Sequence, residues 1–286
     1  MKIKNWINEK AEILKIIYDN DLMIAKRKIF LLLNHFYKIN FPIFDNETID
    51  EEKIKFLNEI INQIIIDKKP IEYILKEVYF LETILEIEPP ILIPRSETEF
   101  ICNNLFKKLE HKKEESFYLL DLGSGSGCIG ISFLKRFYNG KCLALDINKQ
   151  ACNLSLKNAI KNNVQNRYNI LQEDMIKFLE KNNNKFDIII SNPPYIGLNE
   201  YNNLDDSVKK WEDKFALTDE QDGNFYIKNI LKLIHKNMHK EGILLIEIDS
   251  LNYQFILNYV KNLNIYKNID IIYDQYEKKR AIIISL

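Results

Sequence analysis

The chain has 286 residues, more than one average domain, so two domains or one long domain is the starting assumption. Its composition, 46% hydrophobic and 28% charged, is that of a folded protein and excludes disordered and fibrous classes. Forty Lys and Arg against 41 Asp and Glu leave a net charge of −1, so no overall basic field marks the chain for nucleic acid or an anionic membrane.

The opening stretch "MKIKNWINEK" carries charges throughout and does not read as a secretory signal. No apolar stretch approaches the roughly 18 residues that a membrane-spanning helix needs. Cys102, Cys128, Cys142 and Cys152 show no Cys-x-x-Cys spacing, which fits reduced thiols better than disulfides or zinc. A cytoplasmic location is expected.

Residues 1–76 place apolar side chains three and four apart, as in Ile13, Ile16, Ile17 and in Ile54, Leu57, Ile60, Ile61, Ile64, Ile65. That period predicts a small helical bundle punctuated by Pro42 and Pro70, with Pro70 in the first turn of a helix. The segment "VYFLETILEIEPPILIPR" alternates around Glu82-Thr83 and runs into proline-rich extended chain, predicting a β-hairpin linker over residues 77–95. From residue 96 helices and strands alternate. Helical "ETEFICNNLFKKLE" precedes strand "FYLLDL"; the strands "KCLALDI", "YNILQED" and "FDIII" follow, with helix "QACNLSLKNAIKNN" among them. A helix over 227–238, strand "GILLIEI" and the strands "IDIIYD" and "RAIIISL" complete the series. The pattern predicts an α/β domain over 96–286, with a mostly parallel sheet closed by an antiparallel strand. Ligands bind beyond the carboxyl ends of the strands in such sheets.

The informative glycines cluster in "DLGSGSGCIG", between a strand and a helix. Two cofactors compete for this loop. Gly125, Gly127 and Gly130 spell G-x-G-x-x-G, and Asp146 lies 21 residues after Gly125, near the ~20 expected of a dinucleotide site. In the other reading, Gly123, Ser124, Gly125, Ser126 and Gly127 form an S-adenosylmethionine loop. Asp121 before it suits a ligand with an ammonium group better than a pyrophosphate. Asp146 would accept from two ribose hydroxyls. Asp174 and Met175, at the end of the next strand, could bind an adenine amino group and cover its face.

A fourth strand end carries "SNPPYI" over residues 191–196. Two adjacent prolines fix two φ angles and remove two backbone donors, so Asn192 and Tyr195 are carried on a stiff, extended piece over the same crevice. A rigid, polar, partly aromatic loop suits gripping a planar amide or amino group.

With "DLGSGSG", "ALDIN", "ED" and "NPPY" in that order, the chain resembles class I S-adenosylmethionine-dependent methyltransferases that alkylate planar nitrogen. It is most similar to the peptide chain release factor glutamine methyltransferases, through "KKPIEYIL" (68–75), "ILIPRSETE" (91–99) and the helical N-terminal extension. The resemblance implies a Rossmann-like class I methyltransferase domain with a seven-stranded sheet. It implies methyl transfer to the glutamine amide of the Gly-Gly-Gln motif in class I release factors, with Asn192, Pro193 and Tyr195 at the reacting nitrogen. Pro194 stiffens the substrate wall, and Asn192 also borders the cofactor. Residues 1–76 would recognise the release factor, and a monomer without nucleic acid or membrane partners is expected. The chain departs from the family pattern at Glu72, Ser96, Met175, Asp213 and Asp249, where Gln, Pro, an aromatic residue, Pro and Gly respectively are usual.

Asn-Pro-Pro-Tyr is shared with nucleic-acid amino-methyltransferases, which keeps an adenine or guanine amino group as the alternative substrate. His235 and His239 have i, i+4 spacing but lack a zincin glutamate between them, so they are read as surface histidines. No metal is expected.

Overall fold

The computed structural model describes residues 1–44, 47–274 and 276–286. These fall into two compact units: residues 1–76 with 206–211, and residues 77–205 with 212–286.

The first unit is helical. Helices α1 (Ile3–Leu14), α2 (Leu22–Tyr37) and α3 (Glu51–Ile66) each bury one apolar stripe. Trp6, Leu14, Ile29, Leu32, Leu33 and Leu57 are fully enclosed, and each apolar side chain so buried contributes about 1.5–3 kcal/mol. The Asp21 carboxylate caps α2 by accepting from the Met23 and Ile24 N–H groups. Pro70 stands just ahead of the short α4 (Ile71–Leu75), one position earlier than the first helical turn. The usual Gln has become Glu72, which pairs with Lys28 at 3.0 Å.

The second unit opens with a hairpin, β1 (Glu77–Phe80) and β2 (Thr83–Glu86). Its turn is Leu81-Glu82, one residue earlier than the alternation suggested, because Phe80 pairs with Thr83. Helix α5 (Ser96–Leu109) follows. The main sheet comprises β3 (Tyr118–Leu122), β4 (Lys141–Asp146), β5 (Tyr168–Gln172), β6 (Phe186–Ser191), β7 (Met238–Glu247), β8 (Asn268–Tyr273) and β9 (Lys279–Ser285). Their spatial order is β5-β4-β3-β6-β7-β9-β8. The first five strands in that order pair in parallel, and β9 runs antiparallel to both β7 and β8. This is the Rossmann-like α/β architecture anticipated, with the chain reversal between β3 and β6 that creates a ligand crevice.

Alternate side chains of each central strand enter opposite cores. Leu119, Ile188 and Ile190 join one, while Leu120, Leu122 and Ile189 join the other. Helices α6 (Cys128–Arg136) and α7 (Lys149–Lys161) connect the first strands. Beyond them come α8 (Met175–Lys181), the short α9 (Leu198–Asn202), α10 (Asp206–Trp211) and α11 (Lys214–Leu217), then α12 (Phe225–Leu233) and α13 (Tyr253–Leu263). Two expectations are corrected here. The helix placed over 227–238 ends at Leu233; a 3₁₀ turn follows, and Met238 already belongs to β7. His239 therefore lies in a strand, so the i, i+4 relation to His235 is not that of one helix face. The helices α8 and α13 were not recognised in the sequence.

Candidate active site

The carboxyl ends of β3, β4 and β5 and the loop after β6 surround a cleft that encloses about 760 Å³ of space, open mouth included. Of the residues singled out from the sequence, Gly123, Gly125, Asp146, Asp174, Met175, Asn192 and Pro194 line it. Ser124, Ser126, Gly127, Pro193 and Tyr195 are not among its lining residues. The lining also includes Ile91, Ile147, Asp213 and Phe215, which the sequence reading did not select.

The glycine loop is closed on itself. The Gly123 and Ser124 N–H groups both donate to the Leu145 carbonyl, at 2.9 and 2.8 Å, and Gly127 N–H donates to the Ser124 carbonyl at 2.8 Å. Gly125 N–H donates to Asp146 Oδ2 at 2.8 Å, and Gly130 N–H to Asp121 Oδ2 at 3.0 Å. The loop thus turns most of its donors inward, the opposite of what a pyrophosphate cradle needs. Gly127 has φ +83, and a Cβ there would meet Ser155 Oγ at 2.7 Å. Gly125 has φ +54 and nothing within 4 Å of its would-be Cβ. Gly127 therefore serves close packing, whereas Gly125 faces open space. Gly130 serves packing too, since a Cβ would strike Cys142 Sγ at 2.7 Å. The filled space at Gly127 and the inward N–H groups count against the dinucleotide spelling, whereas Gly130 would pack closely in either loop.

Asp121 is fully buried, and its Oδ1 has no hydrogen-bond partner among the described residues. Burial raises its pKa to about 7, opposed by the Gly130 N–H and reinforced by Asp146. Asp146 accepts from Gly125 N–H through Oδ2 and from Asn148 N–H through Oδ1. Each oxygen keeps a further lone pair for ligand hydroxyls. Burial raises its pKa as well, partly offset by those two backbone bonds. Asp174 caps α8, its Oδ1 accepting from Ile176 and Lys177 N–H at 2.9 Å. That leaves Oδ2 for the cleft, beside Met175. Asp213 is also placed by the backbone: its N–H donates to the Pro90 carbonyl at 2.7 Å, a bond the usual proline could not make. Its Oδ2 accepts from Asn148 Nδ2 at 3.0 Å, and the neighbouring Glu212 pairs with Arg95 at 2.6 Å.

The loop after β6 is held by side chains. Asn192 Nδ2 donates to Thr98 Oγ1 at 3.1 Å, and Thr98 Oγ1 donates to Glu247 Oε2 at 2.7 Å. Tyr195 donates its hydroxyl to Glu247 Oε1 at 2.9 Å. Thr98 and Glu247 were missed as site residues. The available signal was an acid inside the apolar strand "GILLIEI", since Glu is almost never fully buried unless paired.

This geometry agrees with the comparisons to known proteins. Residues 96–207 match the family described as methyltransferase small domain. The release factor glutamine methyltransferase of Fusobacterium nucleatum is 35% identical over 181 residues, 63% of this chain and 50% of that protein, so the match spans half of that relative's length. The corresponding protein of Clostridium botulinum is 31% identical over 226 residues, 79% of this chain and 75% of that one. The chain belongs to the release factor glutamine methyltransferase family. It is a methyltransferase, as the match of its domain requires. A solved methyltransferase from Pyrococcus furiosus, 16% identical, superposes with a TM-score of 0.50 over 82% of this chain and 96% of that chain, and shares the fold. Departures from the family pattern at Met175 and Asp213 fall in the cleft lining; Ser96 begins α5, and Asp249 caps its own turn by accepting from Leu251 N–H at 2.8 Å.

Proposed function

We propose that the chain methylates the side-chain amide nitrogen of the glutamine in the Gly-Gly-Gln motif of class I peptide chain release factors, with S-adenosylmethionine as donor. The observation that carries this reading is Asn192, which lines the cleft with its Nδ2 side tied to Thr98. Its Oδ1 is thereby left to accept from a substrate N–H.

The cleft fits the donor. Asp146 has acceptor capacity for ribose hydroxyls, Asp174 Oδ2 for an adenine amino group, and Met175 and Ile147 offer apolar surface for a ring. The loop of Gly123, Ser124, Gly125, Ser126 and Gly127 supplies backbone shape, with Gly125 leaving room. When bound, S-adenosylmethionine supplies a methyl group on a cationic sulfur.

An amide nitrogen is a poor nucleophile because its lone pair is delocalised, so orientation must do most of the catalysis. Positioning of this kind contributes ~7–11 kcal/mol. Asn192 Oδ1 and the Pro193 carbonyl would accept the two amide N–H groups and aim the nitrogen at the methyl. Pro193 suits the task because its fixed φ holds the carbonyl in place. Pro194, in the cleft lining, would form the wall against the glutamine, and Tyr195 would pack behind it and help exclude water. The helical unit of residues 1–76 would recognise the release factor, with 77–95 as linker and 96–286 as the catalytic domain. The reading carries a cytoplasmic monomer.

The test is to incubate the protein with S-adenosylmethionine and a release factor and map methylation by mass spectrometry, with a Gly-Gly-Ala release factor as control. One methyl on the motif glutamine, absent from the control, is expected. Transfer to adenine or guanine amino groups and none to the release factor would replace this reading with the nucleic-acid one.

A further inference from the structure

We propose that Glu247 is a positioning residue for methyl transfer, its carboxylate fixing through the Thr98 hydroxyl which way the Asn192 side-chain amide faces. The inference rests on the reading that Asn192 orients an amide nitrogen for methylation, and it names what orients Asn192.

A side-chain amide can be turned over by 180°, exchanging an acceptor for a two-proton donor at the same place. For Asn192 the choice is made elsewhere. Ionised Glu247 has no proton to give, so it can only accept. It takes the single Thr98 proton on Oε2 at 2.7 Å. Thr98 Oγ1 then has only lone pairs to offer Asn192, and the amide presents Nδ2 to it at 3.1 Å. Oδ1 must face the other way. The second carboxylate oxygen accepts from Tyr195 at 2.9 Å, so one buried group holds both polar ends of the Asn-Pro-Pro-Tyr segment.

Glu247 lies at the end of β7 and is 4% exposed. Burying a carboxylate is costly unless it is paired and hydrogen-bonded, and among the described residues no cation is bonded to it. The groups facing it are Glu97, Thr98 and Cys102 on α5, Cys128 on α6, Tyr195 after β6, and Arg280 on β9. Arg280 is engaged by Asp274 at 2.8 Å and by Glu97 at 3.6 Å. Burial raises the pKa of Glu247 to about 7, with the Thr98 and Tyr195 bonds opposing the rise and Glu97 adding to it. A protonated Glu247 can donate to Thr98. The hydroxyl proton is then free to turn toward Asn192, and the amide is stable with its NH₂ toward the substrate. Two N–H groups would face the N–H groups of the glutamine, and alignment is lost. Transfer therefore rises with pH as Glu247 ionises.

The experiment compares wild type, Glu247→Gln, Thr98→Val and Thr98→Ser. The kcat at saturating release factor and the cofactor Kd are measured from pH 5.5 to 8.5, together with melting temperatures. Glu247→Gln and Thr98→Val lower kcat about 10- to 100-fold, the range seen when a partner that orients a functional group is removed. Cofactor Kd stays within twofold, the rise in kcat around pH 7 is flattened, and Thr98→Ser restores both rate and pH profile. In parallel, the Asn192 side-chain amide resonances are followed by NMR, assigned by their loss in Asn192→Asp. They shift with pH around 7 in wild type and not in Glu247→Gln, a readout that needs no substrate. If wild type methylates no release factor, the substrate reading fails while the resonances still judge the relay. Wild-type kcat and pH profile in Glu247→Gln, or resonances insensitive to pH, overturn it.

Discussion

The loop after β3 and the loop after β6 leave neighbouring parallel strands at the same edge of the sheet and border the same cleft, yet they are held by different means. In the glycine loop, main-chain N–H groups donate to a β4 carbonyl and to carboxylates at the strand ends. In the Asn-Pro-Pro-Tyr loop, two prolines have no N–H to donate, so the segment is anchored through the Asn192 and Tyr195 side chains, and both anchors lead to Glu247. A loop built from backbone bonds tolerates changes of side chain and resists changes of shape. A loop built from side-chain bonds does the reverse. The first suits a cofactor that every turnover shares, and the second suits an amide whose two N–H groups must be met by acceptors.

The sharpest way to break this comparison is Asn192→Ala. It should lower methyl transfer on the order of 10²–10³-fold, as removal of one positioned polar group does, while calorimetric cofactor affinity stays unchanged. A parallel loss of affinity would mean the two loops are not separable. Next in size is Gly127→Ala. A left-handed φ costs a side chain roughly 1–2 kcal/mol, and the 2.7 Å approach to Ser155 Oγ adds the overpacking cost. The total should be about 2–4 kcal/mol, read as a lowered melting temperature, whereas Gly125→Ala should show the backbone cost alone. Asp146→Asn comes third. One oxygen is replaced by an NH₂ that faces a backbone N–H, at a cost of about 1–3 kcal/mol, and cofactor titration should show weaker binding with little change in kcat at saturation.

The last prediction concerns Asp121. Its folded pKa is raised to about 7 from 3.8, so the folded state holds a proton that the unfolded chain releases. Stability from this group is present at low pH and is lost as pH rises from about 4 to about 7. Asp121→Asn should remove part of that decline, and thermal melts across the window check it. An unchanged slope would contradict the assigned cause.

Much of the fold is legible in the residues. Apolar strands punctuated by helical periods announce the parallel sheet, and of the three acids at successive strand ends Asp146 and Asp174 border the cleft, while Asp121 is buried beneath it. The amphipathic helices α8 and α13 were lost because Asn and Lys occur throughout this chain and blur every boundary signal. The site was legible where chemistry is local, as in the glycine and Asn-Pro-Pro-Tyr segments. It was not legible where it depends on residues far apart in the chain: Thr98 and Glu247 are 149 positions apart and meet only because α5 packs beside the end of β7. The sequence also could not show that Gly127 and Gly130 serve packing, since the atoms they avoid come from α7, β4 and β5.

The most direct test of the account is a double-mutant cycle in single-turnover methyl transfer to the glutamine, using Asn192→Ala, Glu247→Gln and the two combined, at saturating cofactor. If Glu247 acts through Asn192, the double variant is no slower than Asn192→Ala alone, the non-additivity of residues in one network. If the two losses multiply, Glu247 acts by another route and the side-chain relay that distinguishes this loop does not exist.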